Sequence, residues 1–552
     1  MTGRLGRCGG RRLAIALIAC AATAATAGGC GGQDNAVGGS ATVEMSTPPD
    51  YLDPQLGYTT EAAEADWIAY TPLLTYRHKN APGGGDLIPG LAVHLPQISP
   101  NGKRYVLTLR PGLAYSNGAP VKASDFEYTI ERALRLGWGG RRFLTDNVVG
   151  ARQYETGAAE DISGITTDDA SGRIEIVLRH PYSAFGNVLA LPATGLVPSG
   201  TPMRDLSRRP PPGVGAYRIT DVARNRSWTM VKNPGFERLG IPDVPAGSLD
   251  RIRVRINPNR VEAAEDVIQN RADGYDPGTP LPAAALLKAG SVEGDRFEAV
   301  PIPSTLYFFL NATTPPFNSE LARRAVVTAL DRPALEHLSN DTLDPECYLL
   351  PDGIPGHPSS SCPYGAAGDR GDLEAAQQLV QQSGTAGASV TVWGPNSAPQ
   401  RSFVNHYAKL LRRIGYQADA HLLQPSSYYS TVGSPGTAPQ TGFGSWFNDF
   451  PNPADFYEVV SATPTSNPSA NLGRVDDIFI QQQLAELNLV PAQEISQSAD
   501  QWRDLEEYTA KKAYLAVFGT QLVPKLMSTR MNFGAAVIHP LFLSDWSTWA
   551  IH

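Results

Sequence analysis

The 552-residue sequence is short of charge, of cysteine and of clustered histidine, and each shortage excludes a class of protein. Charged residues make up 18% of the chain, below the quarter typical of soluble domains, and no basic tract stands out. That argues against a nucleic-acid partner. Cysteines occur only at 8, 20, 30, 347 and 362, too few for a disulfide scaffold. The nine histidines form no HxH or HxxxH pair, and HExxH, CxxC, GxSxG and GxxxxGK[ST] are all missing. A local metal motif, a thiol redox centre, a hydrolase elbow and a phosphate loop are therefore unsupported. Gly and Pro stay below the about 25–30% that marks low-complexity disorder. No internal repeat is visible, and no apolar run reaches the about 20 residues of a comfortable membrane span.

What is present begins with the N-terminus. Arg4, Arg7, Arg11 and Arg12 precede the apolar run LAIALIACAATAATA (13–27), which is followed by GGC (28–30). A basic n-region, a short apolar stretch and small residues before the cut describe a secretory signal peptide, residues 1–29. Ala27, Gly28 and Gly29 before Cys30 resemble a bacterial lipobox, with Ala27 where Leu is usual. LIAC ending at Cys20 is an alternative, but it leaves an h-region of only seven residues. Cys30 is preferred because GGQDNAVGGSA (31–41) behind it has the composition of a flexible tether. A lipid on Cys30 would hold the chain at the extracytoplasmic face of the cell membrane. Cys347 and Cys362 then remain as a pair in an oxidising compartment, and a disulfide between them is expected. Removing residues 1–29, which carry four arginines and no acid, moves the net charge from −8 to −12. This balance disfavours anionic cargo and suits cationic or zwitterionic ligands.

Length alone allows three or four domains' worth of core. Strict alternation predicts strands in RYVLTLR (104–110), RIEIVLR (173–179) and RIRVRI (251–256). Ser124 followed by Glu127 reads as a capping box opening a helix with Phe126, Ile130 and Leu134 on one face. Helical stripes follow at 319–332 and at 402–415, the latter ending at Gly415 before the strand QADAHLL (417–423). A mixed α/β protein results. The stretch 425–442 is read as a surface loop. GFGSW (442–446) lacks the third Gly of a nucleotide loop, and the pairs Asp168–Asp169 and Asp476–Asp477 read as solvated turn acids rather than acid/base catalysts.

Five segments in order resemble one family. YLDPQLGYTTEAAEADWIAYTPLLTY (51–76), the block from LIPGLAVHLP to TIERAL (87–134), GVGAYRITDVARNRSWTMVKNPGF (213–236), NATTPPFNSELARRAVVTALDRPAL (311–335) and WFNDFPNPADFY (446–457) are similar to the family 5 extracellular solute-binding proteins. These are the oligopeptide-, dipeptide- and nickel-binding proteins of ABC importers. Asn101 and Asn117 replace the usual Asp before Gly in turns, where the two are nearly interchangeable. The resemblance implies a bilobal class II periplasmic-binding-protein fold with an extra small domain inserted in the first lobe. It places lobe I at 42–76, 190–257 and 521–552, the insert at 77–189 and lobe II at 258–520.

The resemblance also implies a ligand site. In peptide-binding members the Asp of the W-x-x-D motif pairs with the ligand's α-ammonium, and that position is Asp449, flanked by Trp446, Phe447 and Asn448. A carboxylate in a dry cleft needs a cation, so the chemistry is sensible. The structural alternative is an Asp that caps the loop NDFPNPAD, serving Asn452 or Asp455. Trp393 and the pair Tyr428–Tyr429 are candidate pocket wall. Arg323, Arg324, Arg401 and Arg412 are undiscriminated candidates for a peptide carboxylate, the first two lying off their apolar stripe and so read as solvated. The implied function is capture of peptides or similar solutes by hinge closure for an ABC permease, by a monomer without enzymatic activity, metal or cofactor. The alternative is a lipoprotein of the same fold with a regulatory or scaffolding role in envelope assembly.

Overall fold

The computed structural model describes residues 38–278, 281–292, 295–462 and 468–552. Cys30, Cys20 and the signal and tether segments through residue 37 lie outside the described residues. Among the described residues no helix is long and apolar enough to cross a membrane.

Among the described residues, twelve strands form one mixed sheet whose order mixes early and late segments. One half carries Ser40–Met45 paired in parallel with Arg251–Ile256, which continues through Ser227–Lys232 to Tyr217–Ala223 at the edge. The other half carries Ser304–Leu310 against Thr441–Phe447, then Ser389–Pro395 and Gln417–Leu423. The thirteen-residue strand Leu515–Met527 joins them. Its first part pairs with Ser304–Leu310, and its last part pairs with Phe297–Pro301 and Gly274–Tyr275. This strand crosses from one lobe to the other.

The predicted alternation is what builds these strands. In RIRVRI, Ile252 and Val254 are buried while Arg251 and Arg253 face water, and Arg255 donates to the buried Glu44 directly across the ladder (2.6 Å). Strands Arg104–Thr108 and Arg173–Val177 pair with each other in a separate four-stranded sheet within residues 97–177. The lobes have separate cores. The first centres on Trp67, Phe126, Trp228 and Trp546. The second includes Phe308 stacked on Tyr407 with ring centroids 3.9 Å apart. The Cys347–Cys362 disulfide is formed and closes a loop beside the second core. In the chain-entropy picture a loop of this length contributes about 3 kcal/mol.

Four readings need correction. The tether does not run to residue 41, because Ser40 and Ala41 already pair with Arg251 and Ile252 in the sheet and Ala41 is buried. The helix Ser124–Leu136 begins without the Ser124–Glu127 capping box: Asp169 accepts both the Ser124 N–H (2.8 Å) and its hydroxyl (3.0 Å). A carboxylate from 45 residues away has taken the role of a local cap. The stretch 425–442 contains a helix, Pro425–Val432, with Pro425 in its first turn and Tyr428 fully buried beneath it. Arg323 is buried rather than solvated. It donates to the carbonyls of Phe317 and Lys512 and lies over the Tyr514 ring, so backbone acceptors replace water around the guanidinium. Arg324 is half-exposed and pairs with Glu320 at 2.6 Å.

Candidate functional site at the lobe junction

The strand Thr441–Phe447 leads into the site. Its glycines are packing residues: a Cβ on Gly444 would stand 2.3 Å from the Tyr307 ring, on the neighbouring strand. Past Phe447 the chain leaves the sheet, and Asn452 caps the short helix Pro453–Phe456 by accepting the Ala454 N–H. From that helix Asp455 reaches back to accept the Trp446 indole N–H and the Asp449 backbone N–H, both at 3.0 Å. The loop is therefore held by Asn452 and Asp455, and the Asp449 carboxylate is not used to fold it. Phe450, next in sequence, is buried in the core of the other lobe and meets Phe143 edge-on at 5.5 Å.

Asp449 thus faces the first lobe, where its carboxylate accepts the Tyr58 hydroxyl at 3.0 Å. Tyr58 is fixed from its own side. Its N–H donates to Asp50, its ring meets Trp138 edge-on, and Gly139 lies so close that a Cβ there would come within 2.7 Å of the ring. The two residues bound a cavity of about 100 Å³, also lined by Asp66, Asn448, Leu191 and Phe542. One carboxylate oxygen of Asp66 and the side-chain nitrogen of Asn448 are buried without a hydrogen-bond partner.

Charge at the junction is one-sided. Burial raises the Asp449 pKa, opposed by the hydrogen bond from Tyr58. Asp455 is raised well above the carboxylate range, first by burial and then by the charge of Asp449. Burial also raises Glu458, with Arg142 opposing it. Asp455 is buried, Asp449 half-buried and Glu458 exposed, and three carboxyls with so little cationic company favour a cation arriving from outside.

The other expected site residues are distributed unevenly. Trp446 supports Asp455, Phe447 is exposed at the mouth of the loop, and Asn448 lines the cavity. Trp393 packs against His421 on a further core cluster that includes Tyr307 and Trp502, and does not line this cavity. Tyr428 donates to the Phe443 carbonyl from inside that same further cluster, while Tyr429 pairs with Ser445. Tyr58 and Asp66 were not anticipated, because nothing in the local sequence around them announces a partner 391 residues away. Among the described residues no group of three His, Cys, Asp or Glu side chains is placed to hold a metal ion.

The fold and this junction define a two-lobed protein whose polar cavity lies where its halves meet. Residues 86–467 match the family described as bacterial extracellular solute-binding proteins, family 5 (middle region). The chain belongs to that family. The glutathione-binding protein GsiB of Salmonella typhi is 26% identical over 331 residues, 58% of either chain, so the match spans less than two thirds of that relative. Among solved structures, the clavulanic acid biosynthesis oligopeptide binding protein 2 superposes with a TM-score of 0.84 at 22% identity, covering 94% of this chain and 96% of that one. DppA of Helicobacter pylori in complex with the peptide STSA superposes with a TM-score of 0.67 at 18% identity, covering 94% and 98%. These superpositions establish the bilobal fold.

Proposed function

We propose that this protein is the extracytoplasmic receptor of an ABC importer, non-catalytic, which encloses a peptide or similar zwitterionic solute between its lobes. Asp449 takes the ligand's ammonium group in this reading. The observation that carries it is a half-buried carboxylate at the lobe junction that receives one hydroxyl hydrogen bond and, among the described residues, no cation of its own. Asp66 adds a second acceptor in the same cavity, and Asn448 a donor. A cavity of about 100 Å³ has room for an ammonium and its α-carbon, whereas ligand pockets run from about 300 Å³ upward. The lobes must part to admit a peptide, and hinge closure follows. The names of GsiB and of the peptide-bound DppA support the ligand class.

The domain division belongs to the same proposal, with one change. The separate sheet within 97–177 supports an insert at 77–189. The first lobe, however, is better extended from 257 to about 301, because Gly274–Tyr275 pairs with Ser40–Met45 and Phe297–Pro301 pairs with the returning end of Leu515–Met527. Anchoring through Cys30 completes the reading: Cys30→Ser should release the protein from the membrane fraction, and retention would count against it.

The test is endogenous-ligand mass spectrometry on denatured protein, followed by thermal melting with a peptide library. Co-purified or stabilising peptides are expected. An empty protein that no peptide stabilises would overturn the receptor assignment.

A further inference from the structure

A cavity larger than the one beside Asp449 lies elsewhere, on the first lobe. It has a volume of about 430 Å³ and sits between Pro49–Leu52, Arg204–Arg209 and the edge hairpin Tyr217–Lys232. Four arginines line it: Arg204, Arg208, Arg209 and Arg224. None of their side chains forms a hydrogen bond or ion pair among the described residues. The two acids that share the lining are already occupied. Asp50 accepts the N–H groups of Tyr51, Tyr58 and Thr59, and Asp205 accepts the N–H and hydroxyl of Ser207. On a chain of net charge −8, this cavity carries a local excess of two positive charges.

Its floor is apolar and its walls are fastened. Trp228 is 2% exposed, lines the cavity, and its indole N–H is buried without an acceptor. Leu206 and Val222 add to the same surface. The segment Arg204–Ser207 is tied to the segment Leu52–Asp53 by a fully buried ion pair. Arg132 donates to both oxygens of Asp53, at 2.6 and 2.7 Å, and also to the Arg204 carbonyl at 2.8 Å. Asp53 in turn accepts the Leu206 N–H, and the Ser207 hydroxyl accepts the Leu52 N–H. Two walls of the cavity thus share one buried charge network, so the arginines project from a fixed frame. At the third wall the hairpin register shifts between Thr220 and Ala223, with Asp221 and Asn225 in the left-handed region on either side of Arg224.

We infer that this cavity is a second binding site, for a small organic dianion with an apolar or aromatic body, a dicarboxylate or a phosphate monoester. Planar guanidinium groups match carboxylate and phosphate oxygens two at a time, and they stack on flat apolar groups. The volume falls within the range of small-molecule sites. The site is distinct from the Asp449 cavity in sign: one is built for a cation, the other for an anion.

The experiment is titration calorimetry on the full mature protein at low ionic strength with phenyl phosphate, phthalate and inorganic phosphate as probes. Saturable binding of phenyl phosphate or phthalate is expected, and which of the two binds more tightly assigns the phosphate or carboxylate source. Inorganic phosphate should bind at least about tenfold more weakly, since it lacks the apolar body. The double variant Arg208→Gln/Arg224→Gln should weaken binding by at least about tenfold, at an unchanged melting temperature, because charge-assisted hydrogen bonds are lost. Asp449→Ala should leave it unchanged. The proposal is overturned if no probe saturates, if inorganic phosphate binds as well as phenyl phosphate, if the double variant binds normally, or if Asp449→Ala abolishes binding.

Discussion

Asp53, fully buried, and Asp449, half-buried, are both carboxylates in segments that resemble the family, yet their surroundings are opposite. Asp53 receives two guanidinium bonds from Arg132 and two backbone N–H bonds, from Gln55 and Leu206. Asp449 receives one hydroxyl. Glu506, in the second lobe, is a third case: it accepts the Leu349 N–H and the Tyr457 hydroxyl, and burial pushes its pKa up to about 7. The fold supplies a cation to the first, only a hydroxyl to the second, which the proposed function assigns to a ligand, and tightens the third's hold on its proton. A buried acid is informative about function only after its partners have been counted.

The largest effect that could break this comparison is at the structural pair. Arg132→Met leaves Asp53 buried and uncompensated, so unfolding should become easier by about 3–5 kcal/mol in chemical denaturation. A loss under 1 kcal/mol would mean that Asp53 is not held by its cation. Asp449→Ala is the converse. Peptide affinity should fall by about ten- to a hundredfold, the worth of charge-assisted bonds of about 1.5–3 kcal/mol, while the apo melting temperature stays nearly constant. Equal affinity in variant and wild type would remove Asp449 from the site.

The protonated class predicts a pH effect. Burial raises Glu506 and Glu61 to about 7 and Asp276 to about 6, so the folded state holds these protons more tightly than the unfolded chain. Their stabilisation is complete below the ordinary carboxylate pKa and is lost as pH rises through about 6 to 7. The apo melting temperature should therefore be higher at pH 5.5 than at pH 8, and a scan showing the reverse would contradict the assignment. The smallest effect is expected at Tyr58→Phe. Removing one hydroxyl hydrogen bond should shift ligand affinity or stability by about 1 kcal/mol at most. A far larger loss would make Tyr58 a principal ligand contact.

Several of these features are legible in the chain. RIRVRI alternates so strictly that its buried face could be named residue by residue, and Cys347 and Cys362 could be paired by elimination and compartment. The loop WFNDFPNPADFY pointed to Asp449 through its likeness to a family, and the structure places that residue at the lobe junction. Other features were hidden for a common reason. Asp169 caps a helix that a local Ser–Glu pattern claimed, Arg323 finds the Lys512 carbonyl inside the core, and Tyr58 meets Asp449 across the lobes. In each case the deciding partner is remote in sequence, and short-range patterns carry no information about it.

The sequence by itself determined the strand and helix periods, the disulfide pair, the acidic balance and family membership, because these depend on local order and composition. Only the tertiary structure decided which carboxylates own a cation and which do not, and that four arginines surround a pocket in an acidic protein. Charge pairing and burial are set by segments brought together in space, and their free energies depend on neighbours that the linear order does not place side by side.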